Sequence, residues 1–588
     1  MRNARRAVSY FARIATAFFC AMTIAATPTT TTTVTLPAPP PLAPAAAAVE
    51  FAWFEYQGWE TPRAEPRPDE FLNPILAGFY PDPSVCRVGD EFFLVNSTFA
   101  WYPGVPIFRS RDLVNWSQIG HVLDRPSQLN LDGRGVSEGI FAPTIQHHDG
   151  VFYVATTLVG SGGNFYVTAK DPAGPWSEPK WLKDVDGIDP SFFFDDDGRT
   201  YLIHNGPPPD DKPLYPGHRT LWLHEFDVGS GVTRAGSGKI IVNGGTDIAK
   251  TPVWIEAPHL FKRGGFYYLF AAEGGTGTAH AEVVFRSRNV WGPYEPLTRP
   301  ILTQSHLSDA RPLPVTCTGH ADFVETATGE WWAVFLGCRP YERNLTNIGR
   351  ETFLLPMRWV DGWPIVLGGE DPVPRVLKRP NLPAQPPADV PHNGSFTWRD
   401  EFESAKLAHV WNFLRTPRQT WYSLDRKPGS LLIEPRPVEL TSRGNPSLIA
   451  RRQQHANFIA ATRLTPSDDP RADAGLVAFQ NETHYFFLGS RVDRDGRGEI
   501  FLERSAGKQT SDGPEIIARA AVPAQPADAI ELRLRAVGKS YSFSYRLAGD
   551  QWISLREDAD GSILSTDCAG GFVGSYLGMF ARTRAETP

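Results

Sequence analysis

The sequence predicts an all-β protein, a five-bladed β-propeller followed by a β-sandwich. Three observations carry that expectation. Glycine and proline number 52 and 53, and tryptophan reaches 17, a turn-rich and aromatic-rich balance that suits many short strands. A turn-then-strand unit recurs five times along the first two thirds of the chain. A proline-rich stretch then ends the recurrence, and evenly spaced alternating strands follow it.

The chain opens with Arg2, Arg5 and Arg6 ahead of a small-residue and apolar stretch, Ile14 to Ala26. Residues 1–26 are therefore expected to be a signal peptide, which places the mature protein outside the cytoplasm, extracellular or periplasmic. No other apolar run is long enough to span a membrane. Residues 27–68 begin as a Thr, Pro and Ala tract that cannot build a core, and are expected to form a disordered linker.

The propeller is expected over 69–378. Its repeat unit is a turn with Asp or Gly leading into an aromatic and β-branched strand. The five instances are GDEFFLV at Gly89, HDGVFYVATT at His148, DDGRTYLIH at Asp196, RGGFYYLFAA at Arg263 and TGEWWAVFLG at Thr328. Each is followed by a second apolar stretch, from VPIFRSRDLVNW to RETFLLPMRWVDGW. The spacing of roughly 50 to 65 residues matches propeller blades, so five four-stranded blades around a channel are predicted. A sandwich of unrelated hairpins fits five recurrences less well.

Pro380 to Pro391 lie in a linker expected over 379–396. Beyond it, GSLLIEP, FIAATRL, AGLVAFQ, HYFFLGS, IELRLRA and YSFSYRL alternate without the blade signature. They predict a β-sandwich over 397–588, long enough to bury its own core.

A net charge of −7 argues against nucleic acid or an anionic membrane as the main partner and fits a neutral ligand such as a sugar. Of five cysteines, Cys20 lies in the leader, and Cys86, Cys317, Cys338 and Cys568 have no metal-ligand spacing. Cys317 and Cys338 flank a hairpin and either pair across it or remain buried thiols.

Three carboxylates stand in unusual settings. Asp82 lies between two prolines in NPILAGFYPDPS, on a segment made stiff by fixed φ angles. Asp189 precedes a proline and a strand in DGIDPSFFFDDDG. Glu256 lies in the apolar run VWIEAPHLFKR, where burial raises a carboxyl pKa as a general acid requires. Each alone reads as turn chemistry. Together they fall at the starts of blades one, three and four, where a propeller brings its innermost strands together.

These motifs resemble glycoside hydrolase family 43. NPILAGFYPDPS, FAPTIQHHDGVFYV, GIDPSFFFDDDGRTYL, EAPHLFKRGGFYYLFAAEGGTG and GHADFVE stand in the family's order. GRETFLLPMRW, RRQQHANFIAATRL and AGLVAFQNETHYFFLG extend the likeness to about residues 70–580, and it is nearest to β-xylosidases with an appended concanavalin-like sandwich. The resemblance implies that Asp82 is the general base, Glu256 the general acid, and Asp189 the carboxylate that orients the acid and tunes its pKa. It implies that His320, in GHADFVE, and Arg350, in GRETF, line the sugar site. It makes Phe99 and Phe141 aromatic walls, and Phe572, in GGFVGSYLG, a sandwich residue that closes the pocket. The family usually carries Trp at the place of Phe141 and Gly at that of Ala257. It also usually continues past this C-terminal end into a further acidic, aromatic strand.

The implied reaction is exo-acting, inverting release of terminal pentoses, as β-1,4-xylosidase with or without α-L-arabinofuranosidase activity. The implied substrates are xylo-oligosaccharides or arabinose-substituted xylan. No cofactor is required, no catalytic metal is expected, and a structural calcium in the propeller channel is left open. The alternatives are an endo-acting arabinan or xylan hydrolase, a non-catalytic carbohydrate-binding protein on the same scaffold, and a propeller that only scaffolds protein partners.

Overall fold

The computed structural model describes residues 48–584 apart from 64, 368–370, 494–495, 508–512, 523–528 and 548. The leader expected over 1–26, and the expected linker as far as residue 47, lie outside the described residues. Five sheets form the propeller. Their innermost strands are Ser84–Val88, Thr144–His148, Ile188–Phe194, Glu256–Arg263 and Thr316–Glu325. Each packs on the next, and the fifth returns to the first. Asp322 closes that ring: its Oδ2 accepts from Ser84 Oγ at 2.6 Å and from the Val85 amide at 2.9 Å.

The repeat visible in the sequence is the second and third strands of each blade. GDEFFLV supplies Glu91–Val95, and TGEWWAVFLG supplies Trp331–Cys338. These strands carry dense apolar side chains because both of their faces are covered by neighbouring blades. Glu70–Leu72 pairs with Val376–Lys378, which ties the start of the propeller to its end. The proline-rich connector is held as well: Arg379 forms an ion pair with Asp112 at 2.6 Å, and His392 is buried.

The second domain is a sandwich of two sheets that together carry most of its strands. One of its sheets contains a strand from the other end of the chain. Val49–Trp59 lies between Asn457–Thr465 on one side and Leu431–Ile433 and Phe396–Asp400 on the other. This corrects the linker expected over 27–68 where it includes Val49–Trp59. The physical reason lies in VEFAWFEYQGW, where Val49, Phe51, Phe54 and Tyr56 are fully buried in the sandwich core. A register shift between Phe51 and Trp53 explains why the inward side chains move from odd to even positions. Each aromatic buried there contributes about 1.5–3 kcal/mol, which no disordered tract could supply.

The two domains are joined in a further way. Trp101–Tyr102 of the propeller pairs with Asn412–Leu414 at the edge of the second sandwich sheet. Trp101 stacks on Tyr576 of that sheet with ring centroids 3.7 Å apart. Cys317 and Cys338 are free thiols. Among the described residues no helix is long and apolar enough to cross a membrane.

Candidate active site

The site forms where the innermost strands begin, and a shared backbone device builds it. Asp189, Ala257 and His320 have φ of 57°, 51° and 53°. Each sits at a register irregularity between the first two strands of its blade: Ile188 to Ser191, Glu256 to His259, and Gly319 to Asp322. A bulge of this kind re-aims a side chain that regular pleating would send between blades. Asp82, at φ 52° just before Ser84, is turned in the same way by its flanking prolines. Left-handed backbone at non-glycine residues is uncommon, and its concentration here fits a site held by the surrounding fold.

Asp82 is buried, at 4 % exposure. Its Oδ1 accepts from Arg350 Nη1 at 2.8 Å, and Ser97 Oγ donates to its Oδ2. His320 Nδ1 lies 3.8 Å from Oδ1. Burial holds the His320 imidazole down to about 3, so it is neutral at ordinary pH and the fixed positive charge beside Asp82 is Arg350.

Glu256 and Asp189 lie beside one backbone turn. Asp189 Oδ2 accepts from the Ala257 amide at 3.0 Å, which places it against the backbone next to Glu256. Burial pushes the Glu256 carboxyl well above the usual range, and repulsion from Asp189 and then Asp82 adds to it; Arg350 and Trp254 oppose the rise. Asp189 is itself pushed up to about 7, by burial and then by Asp82. Three carboxyls in one buried place cannot all ionise cheaply, so a proton stays on Glu256 near neutrality.

Phe99, Phe141 and Phe572 come together. The Phe99 ring lies 4.9 Å from Phe141 and 6.2 Å from Phe572, and Phe141 and Phe572 meet edge to face at 6.1 Å. Phe572 reaches the propeller because the two backbones touch beneath it. A Cβ on Gly574 would lie 2.0 Å from the Ile348 carbonyl oxygen, and one on Gly349 would lie 2.9 Å from Gly574. Only glycine permits that approach. The Ser575 amide then donates to the Asn347 carbonyl at 2.8 Å, and the Phe572 amide donates to Ser137 Oγ at 3.0 Å.

All eight residues singled out in the sequence thus surround one place. Sequence reasoning missed Arg219, Asn205 and Trp254. Arg219 Nε and Nη2 donate to Asn205 Oδ1 at 3.0 and 2.7 Å, and Arg219 acts electrostatically on both Glu256 and Asp189. The signal available was a basic pair, His218-Arg219, opening the strand RTLWLHEF.

The propeller interior was tested for the calcium left open by the sequence. Calcium takes six to eight oxygen ligands. Asp322 already accepts from Ser84, Val85 and Phe323. Glu282 keeps one unpartnered oxygen, and the nearby unpartnered groups include imidazole nitrogens of His259 and His280. Among the described residues no group of three such side chains is placed to hold a metal. This donor set does not fit a calcium ion held by the protein alone.

The model of glycosyl hydrolases family 43 matches residues 71–364, and that of the beta xylosidase C-terminal concanavalin A-like domain matches 399–587. A xylosidase/arabinosidase of Butyrivibrio fibrisolvens is 39 % identical, over 88 % of this chain and 96 % of its own length. A non-reducing end alpha-L-arabinofuranosidase of Bacteroides ovatus is 37 % identical, over 87 % of this chain and 91 % of its own. A crystal structure of a GH43_12 protein from a capybara gut metagenome superposes with a TM-score of 0.84 at 40 % identity, covering 92 % of this chain and 100 % of that one. The chain belongs to glycosyl hydrolase family 43, as a five-bladed propeller joined to a concanavalin-like sandwich.

Proposed function

We propose that the protein is an exo-acting, inverting glycoside hydrolase that releases terminal pentoses from xylo-oligosaccharides or arabinose-substituted xylan. β-1,4-Xylosidase is the leading activity, with α-L-arabinofuranosidase as a second one. The observation that carries the reading is the pairing of an Arg350-bound Asp82 with a buried Glu256 that retains its proton. In an inverting displacement Asp82 takes a proton from water as that water attacks the anomeric carbon. Glu256 gives its proton to the departing glycosidic oxygen. Such carboxyls stand about 6.5–9.5 Å apart, which leaves room for the water. The proton gained by Asp82 and the one lost by Glu256 are then exchanged with solvent.

Asp189 keeps the acid protonated by repulsion, and Arg350 holds the base and offers donors to sugar hydroxyls. Phe572, arriving from the second domain, supports exo action, because a wall there shortens the cleft to a pocket for one terminal sugar. The apolar leader and the neutral-substrate site support export beyond the cytoplasm. The test compares 4-nitrophenyl β-xyloside with the α-L-arabinofuranoside and follows the first-formed anomer by proton NMR. Turnover of at least one substrate with inversion is expected. A retained anomer overturns the direct displacement.

A further inference from the structure

Trp254 lies two residues before Glu256 and is 37 % exposed, whereas Trp101, Trp411 and Trp421 are fully buried. Its φ is 58°, a left-handed conformation rarely adopted by a bulky residue. The conformation is enforced from both sides: the Trp254 amide donates to the Gly217 carbonyl at 2.8 Å, and the Gly274 amide donates to the Val253 carbonyl at 2.8 Å. The Trp254 side chain acts on the Glu256 carboxyl and lowers its pKa against the larger rise from burial. Arg219 lies over the ring, with its guanidinium carbon 5.1 Å from the centroid.

Asn205 ties this group together. It accepts both Arg219 hydrogen bonds through Oδ1, and its Nδ2 donates to the Ile255 carbonyl at 2.5 Å. Ile255 sits between Trp254 and Glu256, so one buried amide fixes the cation, the indole and the acid relative to each other. Val253 and Ile248, from the segment that leads to Trp254, are each 38 % exposed. The terminal-sugar walls Phe99, Phe141 and Phe572 use none of these groups.

A general acid must touch the glycosidic oxygen, so the departing sugar has to rest against Glu256. A sugar ring has an apolar C–H face suited to an exposed indole and hydroxyls suited to a guanidinium. We propose that Trp254 and Arg219 form the subsite for the leaving-group sugar. A pentose unit stacks its C–H face on the indole and places a hydroxyl on Arg219. This rests on Glu256 as the acid. Binding energy gained there holds the glycosidic oxygen in line for protonation and is spent in the transition state.

The test uses xylobiose and β-xylosyl fluoride, whose departing fluoride has no ring to stack; arabinobiose and arabinosyl fluoride replace them if the wild type prefers arabinose. W254A is expected to lower the ratio of kcat/KM on the disaccharide to that on the fluoride at least tenfold. W254F should recover most of that ratio. Arg219→Met, which keeps the stem, should lower it at least threefold. Trp254→Gln keeps bulk and a donor without a ring face, and reads the same ratio if the alanine variant does not fold. An unchanged ratio overturns the proposal, even where both activities fall together. A wild type that turns over neither substrate would instead overturn the enzymatic reading itself.

Discussion

Arg350 Nη2 donates to the main-chain carbonyl of Phe572 at 3.3 Å, while its Nη1 donates to Asp82 at 2.8 Å. One guanidinium therefore binds Asp82 of the propeller and the Phe572 main chain of the sandwich. A lysine in its place is a single point charge that cannot serve two acceptors in fixed directions. Arg350→Lys is expected to lower kcat/KM on pentosides about ten- to a hundredfold, the range for a charged hydrogen bond worth about 1.5–3 kcal/mol. Steady-state kinetics check this, with circular dichroism to show that the fold persists. Activity equal to wild type would separate the two domains functionally.

Protonation of the leaving oxygen predicts a dependence on the leaving group. Glu256→Ala should reduce turnover of xylobiose by about a hundred- to ten-thousandfold. 4-Nitrophenyl β-xyloside, whose phenolate departs with less help, should lose less. Equal losses on both substrates would assign Glu256 a different role.

The pH profile carries a sign that can be worked out. As the proposed general acid Glu256 acts protonated, so activity should fall as pH rises through its elevated pKa. Asp189, where ionised, raises that pKa by repulsion. Asp189→Asn removes the repulsion and keeps an oxygen for the Ala257 amide, so the basic limb of kcat/KM should move to lower pH, by on the order of one unit. A basic limb left in place would mean that Asp189 does not tune the acid.

The strand Val49–Trp59 predicts a stability effect far from the chemistry. Phe54 is fully buried and meets Trp411 edge to face at 5.1 Å. Phe54→Ala should cost about 3–5 kcal/mol. The exposed Gln57→Ala on the same strand should stay within about 0.5 kcal/mol. Thermal or urea unfolding distinguishes the two. Similar small effects from both would return this segment to the role of a linker.

Legibility in the sequence followed locality. The blade repeat was visible because GDEFFLV and its four counterparts are single strands, each with a turn before it. Asp82, Asp189 and Glu256 stood out because prolines and apolar neighbours mark them within a few residues. Trp254 and Arg219 passed unnoticed because an indole in VWIEAPH and an arginine in GHRT look like ordinary core and surface groups. Only their approach to each other and to the acid sets them apart. The strand at 49–59 was absorbed into a linker because the tract before it is low in complexity, although its own alternation of apolar residues is a strand signal.

By itself the sequence determined the fold class, the five blades, the family and the carboxylates, since strand periodicity and motif order are properties of neighbouring residues. The tertiary structure decided which of those residues meet and how they are aimed. Arg350 is separated from Asp82 by 268 positions and from Phe572 by 222, and no local pattern encodes such contacts. They arise from bulges that turn Asp189 and His320 inward, and from glycines that let Gly349 and Gly574 touch. Long-range closure is paid for by the packing of whole sheets, so it becomes visible only when those sheets are in place.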